Sequence, residues 1–123
     1  MNTIKLSALL FSFSLLSGCA AVDTVKKYWP RAHDPVMFDQ LVQIDTAVQR
    51  INCDAPIWEP VLTLSENLAK YTQWRKDPQA ENLKGLHNHL ERMSRGGSKT
   101  FCELGKKTAD QRIAAAKSAW EGR

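Results

Sequence analysis

The sequence predicts an all-α protein, a small bundle of about four helices that follows an N-terminal signal peptide and tether. Apolar residues recur at alternating steps of three and four along four stretches after Pro35, which is the spacing of one helix face. Pro, Gly and Asp residues lie between these stretches, and no run alternates strictly enough for a β-strand. The connections are short, which favours antiparallel neighbours. Residues 36–123 are therefore predicted to form a single helical domain.

The N-terminus has the three parts of an export signal. Lys5 is basic, the run from Leu6 to Leu16 is apolar, and a small-residue cleavage site follows it. This run holds roughly a dozen residues, whereas a transmembrane helix needs about 20. Residues 1–18 are thus predicted to be a signal peptide rather than a permanent membrane span.

The residues that close this run resemble the lipobox of bacterial lipoprotein precursors: Leu16-Ser17-Gly18-Cys19. The resemblance implies that Cys19 forms a thioether with diacylglycerol, that the signal is cut just before it, and that its new amine is acylated. Two or three acyl chains anchor a protein stably, while one holds only marginally. The alternative is an ordinary secretory signal cut after Ala20 or Ala21, which would leave a soluble periplasmic protein.

The position after the lipobox Cys biases sorting in such families, where Asp retains the protein in the inner membrane. Here that residue is Ala20, so the resemblance implies the periplasmic face of the outer membrane in a host with two membranes. Residues 19–35 are predicted to be the lipidated N-terminus and tether. The basic and aromatic side chains around Trp29 either lie at the lipid headgroups or belong to a spacer that docks on the domain.

The first two helices are predicted from apolar stripes and start signals. Asp34 and Pro35 suit a helix start, and the stripe that follows is Met37, Leu41, Ile44, Val48 and Ile51. The second helix is predicted to begin near Glu59 and to end before Asp77, with Val61, Leu64, Leu68 and Tyr71 on its stripe.

The third and fourth helices follow the same pattern. The third carries Leu83, Leu86, Leu90 and Met93, and Gly96-Gly97 ends it because glycine tolerates positive φ. The fourth is predicted to open with a capping box from Thr100 to Glu103. Its inward face consists largely of small residues: Cys102, Gly105, Ala109, Ile113, Ala116 and Trp120.

Two cysteines remain once Cys19 is lipidated, as the resemblance implies. Cys53 and Cys102 form an even pair in a compartment that is usually oxidising, so we expect a disulfide between them. Closing a loop of about 50 residues would stabilise the fold by about 4 kcal/mol in the chain-entropy model. The alternatives are two free thiols or an intermolecular bridge. The spacing does not match a C-x-x-C redox motif or a C-x-x-C-H haem motif.

Three aromatic residues are candidates for a ligand or partner surface: Trp58, Tyr71 and Trp74. The favoured interpretation is that they belong to the core, with both tryptophans sealing the ends of the second helix. His87 and His89 project about 200° apart on a helix, which disfavours one shared metal. His87 is expected to be partly buried and hydrogen-bonded, and His89 to be solvated. No metal or cofactor is predicted.

The composition excludes some functions and leaves others open. Of 17 Lys and Arg residues, 16 remain after loss of Lys5, against 13 acidic residues, an excess too small to argue for nucleic acid. The predicted function is a non-enzymatic envelope lipoprotein that binds a protein partner, as an accessory subunit, an inhibitor, or a phage or plasmid exclusion lipoprotein. The alternatives are a carrier of a small apolar ligand, lipid or glycan fragment, and a cell-wall enzyme that uses Glu59 or Glu66.

Overall fold

A computed structural model describes residues 34–122, and in them the prediction of an all-α fold is confirmed. The four helices are α1 (Pro35–Gln49), α2 (Glu59–Trp74), α3 (Ala80–Ser94) and α4 (Lys99–Glu121). This part of the chain contains no strand. The signal peptide, Cys19 and residues 20–33 of the predicted tether lie outside the described residues, whereas Asp34 and Pro35, the last two residues assigned to the tether, cap and begin α1.

The helices form an up-and-down bundle in which neighbours in sequence are neighbours in space. Helix α1 packs against α2 and α4, and α3 packs against the same two helices. One end of the bundle, which we call the Asp34 end, carries the start of α1 and the ends of α2 and α4. The opposite end carries the Cys53–Cys102 bond, and we call it the disulfide end.

The apolar stripes predicted for α1, α3 and α4 all face the core. The buried residues on these helices are Met37, Leu41, Ile44 and Val48 on α1, Leu83, Leu86, Leu90 and Met93 on α3, and Cys102, Gly105, Ala109, Ile113, Ala116 and Trp120 on α4. Burial of each large side chain stabilises the fold by about 1.5–3 kcal/mol. Regular three-and-four spacing therefore predicts the buried face of three of the four helices, and the bounds predicted for α2 also agree with the structure.

The buried face of α2 is rotated relative to the prediction. Ser65 and Thr72 are buried, whereas Leu64 and Tyr71 are only half-buried. The Ser65 hydroxyl donates to the Leu62 carbonyl at 3.1 Å, and the Thr72 hydroxyl donates to the Leu68 carbonyl at 2.9 Å. Because these bonds satisfy the hydroxyls within the helix, two small polar side chains can face the core at little cost.

The helix ends are set by side-chain caps. The Asp34 carboxylate accepts from the backbone N–H of Val36 at 2.9 Å and of Met37 at 3.3 Å, which confirms the predicted start of α1. The capping box predicted at Thr100 is wrong. Ser98 caps α4 by accepting from the Phe101 N–H at 3.1 Å, and Thr100 already lies in the first turn.

The turn before α4 and the disulfide both match the predictions. Gly96 and Gly97 have φ values of 114° and 144°, which residues with a Cβ rarely adopt. The bond between Cys53 and Cys102 joins two Cα atoms 5.7 Å apart and spans 49 positions of sequence. It connects the segment after α1 to the first turn of α4.

Candidate functional site

A groove lies between α1 and α2 in the described part of the chain. It encloses about 590 Å³ near the disulfide end, and most of its lining is apolar. Its lining residues are Val42, Gln43, Thr46, Ala47, Arg50, Ile51, Asn52, Ala55, Ile57, Pro60, Val61 and Leu64. We call this surface, with its continuation described below, the α1–α2 groove.

The groove is lined by small side chains of both helices and by the connection between them. Ala47 of α1 and Pro60 of α2 line it, as do residues of the connection such as Ile57. Val42 is 50% exposed and Ile57 is 74% exposed. Single exposed apolar residues are ordinary, but a contiguous group in a groove is typical of a binding surface.

The groove continues toward the Asp34 end. A second hollow of about 440 Å³ shares Gln43 and Leu64 with the first and adds Pro35, Val36, Asp39, Gln40 and Asn67. Together the two hollows run along nearly the whole of α1, a length of about 20 Å for a helix of 15 residues.

One charged residue lies toward each end of this groove. Asp39 lines the second hollow and Arg50 lines the first, and no other charged side chain lines either of them. The Asp39 carboxylate accepts from the Gln43 side-chain amide at 2.8 Å. Within residues 34–122, neither Asp39 nor Arg50 belongs to an ion pair.

The three aromatic candidates do not form one surface. Trp58 and Trp74 lie at opposite ends of α2, about 24 Å apart along the axis, and neither they nor Tyr71 line the groove. Trp58 packs partly against the core, as predicted. The prediction that Trp74 seals the bundle is wrong, because it lies about 200° around the helix from the buried Thr72 and is 81% exposed.

Tyr71 belongs instead to a polar cluster at the Asp34 end. Its hydroxyl donates to the buried Asp34 carboxylate at 3.1 Å, and Arg75 Nη1 lies 2.8 Å from the same oxygen. Burial acts to raise the pKa of Asp34, but the Met37, Tyr71 and Val36 hydrogen bonds and the Arg75 charge outweigh it and lower that pKa. This cluster fixes the start of α1 to the end of α2.

The two histidines join neighbouring helices. His87 is partly buried and hydrogen-bonded, as predicted, and its Nδ1 lies 2.9 Å from the Ser65 hydroxyl. The prediction that His89 is solvated is wrong. Its Nε2 donates to the Gly105 carbonyl at 2.8 Å, since the absence of a side chain at Gly105 brings α4 close to α3. In the described part of the chain, no group of His, Cys, Asp and Glu could hold a metal.

The candidate acids Glu59 and Glu66 are both exposed, whereas the hydroxyl-bearing Ser65 beside Glu66 is buried. Ser65 is 1% exposed, so its hydroxyl does not meet a substrate despite its contact with His87. Glu66 lies outside the groove and pairs with Lys70 at 3.1 Å. The hydrogen bond from Lys70 and its charge lower the pKa of Glu66, the reverse of what a general acid needs. Ser65, Glu59 and Glu66 do not line the α1–α2 groove.

Comparisons of the chain with protein-family models, with curated proteins and with solved structures give no match. Among the helices of residues 34–122, none combines the length and the apolar character that crossing a membrane requires. The role of the α1–α2 groove is therefore inferred from its shape and its lining residues.

Proposed function

We propose that this protein is a lipid-anchored, non-enzymatic interaction module of the bacterial cell envelope, and that the α1–α2 groove is its protein-binding surface. The observation that carries the binding role is the concentration of exposed apolar side chains, including Val42 and Ile57, in one groove about 20 Å long. A groove of this length between two antiparallel helices has the shape that accepts a third helix.

The proposed anchor is Cys19, on the strength of the lipobox that ends at this residue. The described domain begins at Asp34, so the chain leaves toward the anchor from the Asp34 end of the bundle. The tether of at most about 50 Å would hold the groove close to the membrane surface. The Cys53–Cys102 bond supports an extracytoplasmic location, because such bonds persist mainly in oxidising compartments.

A second candidate function is binding of a small apolar ligand, lipid or glycan fragment. The volume of the groove, about 590 Å³, lies in the range of small-molecule sites. Native mass spectrometry of protein released from membranes tests this candidate. A copurified mass that Val42→Glu removes and Trp74→Ala retains would support it, and bare protein alone would contradict it.

The proposed function is tested by capture from crosslinked envelopes. A tagged full-length protein is expected to retain a protein partner, and Val42→Glu in the groove is expected to reduce that capture at least tenfold. The matched control is Thr108→Glu, which changes an exposed residue on α4 away from the groove. Repeated capture of no protein, or equal loss with both variants, would contradict the proposal.

The anchor is tested separately by fractionation. Cys19→Ser is expected to move the protein out of the membrane fraction, and Ala20→Asp is expected to shift it from the outer to the inner membrane in a host with two. Recovery of the wild-type protein only in the soluble periplasmic fraction would contradict the proposed lipid anchor. The capture experiment would still test the groove.

A further inference from the structure

The charges of the α1–α2 groove form a self-complementary pattern. Asp39 and Arg50 are 11 positions apart on α1, about three turns or 16 Å along the axis. Both are exposed, and they are the charged side chains among those that line the groove. A partner that fits this groove therefore needs a cation opposite Asp39 and an anion opposite Arg50.

A second copy of the chain supplies both charges. If two α1 helices lie antiparallel across a two-fold axis midway between Gln43 and Thr46, Asp39 of one copy faces Arg50 of the other, and the reverse pair forms as well. The same axis places Val42 opposite Ala47. An interface with two-fold symmetry requires this kind of patch, in which residue i meets residue j and residue j meets residue i.

The shape of the surface agrees with this arrangement. Val42 and Thr46 are exposed on α1, and Ala47 beside them is small. The ridge of one α1 would enter the groove of the other copy, where it would cover Ile57, which is 74% exposed, and the half-buried Leu64. The apolar contact would come from the centre of the groove, and the charges near its ends would fix the register.

We infer that the α1–α2 groove binds a second copy of this chain, as a two-fold dimer with α1 antiparallel to α1 and Asp39 paired with Arg50 of the other copy. This inference rests on the proposed function in taking the groove as a protein-binding surface.

The test uses two differently tagged full-length copies expressed in one cell and purified from its membranes in detergent. Wild-type copies are expected to copurify. Asp39→Lys in both copies, or Arg50→Glu in both, is expected to reduce copurification roughly tenfold, because two attractive pairs become two repulsive ones. One copy with Asp39→Lys and the other with Arg50→Glu is expected to restore it, since the introduced lysine then faces the introduced glutamate and the second pair keeps its native Arg50 and Asp39.

The restoration is the decisive readout, because damage to the fold would not be repaired by a second damaged copy. Glu91→Lys in both copies is the matched control, as Glu91 is an exposed acid on α3 outside the groove. Wild-type copies that fail to copurify, or a mixed pair no better than the single variants, would overturn the inference. Capture of a different protein through Val42, with no self-association, would overturn the dimer and leave the proposed function in place.

Discussion

Asp34 links the start of α1 to the end of α2 through its side chain. Its buried carboxylate caps α1, accepts from Tyr71 and pairs with Arg75, so it holds the start of one helix to the end of the next. Each bond to a charged group contributes about 1.5–3 kcal/mol when the group that it satisfies is buried. Arg75 is partly exposed, which reduces its share.

We expect Asp34→Asn to lower the free energy of unfolding at pH 7 by about 2 kcal/mol. The pKa of Asp34 is lower in the folded protein than in the unfolded chain. The ionised carboxylate therefore contributes fully to the free energy of unfolding above the ordinary aspartate pKa, about 3.9, and this contribution is lost as pH falls through the lower pKa of the folded state. Urea denaturation at pH 7 and at pH 2.5 should therefore show a large difference between wild type and variant at pH 7 and a smaller one at pH 2.5. Asp45→Asn on the same helix is the control, and an equal difference at both pH values would contradict this role.

Gly85 and Gly105 both lie inside helices, and replacing each by Ala has a different expected effect on packing. A Cβ at Gly105 would overlap the Met93 side chain, which is buried between α3 and α4. A Cβ at Gly85 would meet Arg112 Nη1 at 2.7 Å, the far end of a flexible side chain. Gly105→Ala is thus expected to destabilise the protein by about 1–3 kcal/mol, and Gly85→Ala to be neutral or stabilising by up to about 1 kcal/mol. Thermal unfolding of both variants checks this, and equal shifts would contradict it.

The tryptophans provide a further test of burial. Trp120 is 2% exposed and its Nε1 donates to Asp77 at 3.2 Å, whereas Trp74 is 81% exposed. Trp120→Phe keeps most of the ring volume but loses the hydrogen bond, and we expect it to cost about 1–3 kcal/mol. Trp74→Phe is expected to change stability by less than about 0.5 kcal/mol. Chemical denaturation followed by circular dichroism reads both, and a costly Trp74→Phe would mean that Trp74 is buried.

At the scale of the helices, the disulfide is a covalent connection between the first and the last helix. It joins the segment after α1 to the start of α4, and the two helices also pack together. Lys99 adds an ion pair to Asp54 at 2.9 Å next to it, between exposed side chains. The covalent bond therefore restrains the unfolded chain far more than the neighbouring surface pair does.

We expect the double variant Cys53→Ala, Cys102→Ala to lose about 4 kcal/mol of stability, the loop-closure value for about 50 residues. Urea denaturation of wild type under reducing conditions should give a similar loss, and the variant should be insensitive to reductant. A wild-type midpoint unchanged by reductant would show that the bond does not contribute as described.

The helices also show which parts of this fold the sequence predicts. The regular stripes predict the buried faces of α1, α3 and α4, because the residues at three-and-four spacing on these helices are buried. On α2 the same rule chose Leu64 and Tyr71 over Ser65 and Thr72, since hydroxyls that bond within their own helix look polar in sequence yet are buried. The prediction that His89 is solvated failed because its hydrogen-bond partner is the Gly105 backbone carbonyl on another helix, which periodicity within one helix does not reveal.

The groove was the largest omission. Val36 and Val42 lie off the core stripe of α1 and are each about half exposed, so they were the available signal. Whether Val36 and Val42 belong to a binding surface depends on which helix packs beside α1. It depends also on the connection between α1 and α2, which brings Ile57 to the same groove. This three-dimensional arrangement cannot be obtained from periodicity within one helix.

At the scale of the whole molecule, a rigid bundle carries one apolar groove along α1 and α2, and its chain leads toward a proposed lipid anchor from the Asp34 end. Anchoring two copies in one membrane raises their local concentration, which favours weak self-association through a small surface. The proposed anchor and the proposed dimer would thus act together, although each has its own test.

The measurement that tests the central claim most directly is the intact mass of the protein purified from membranes, before and after reduction. A triacylated chain beginning at Cys19, which gains two hydrogens when the Cys53–Cys102 bond is reduced, is the result that the lipid-anchored module predicts. A chain without acyl groups would contradict the anchor, and a mass unchanged by reduction would contradict the disulfide in the mature protein.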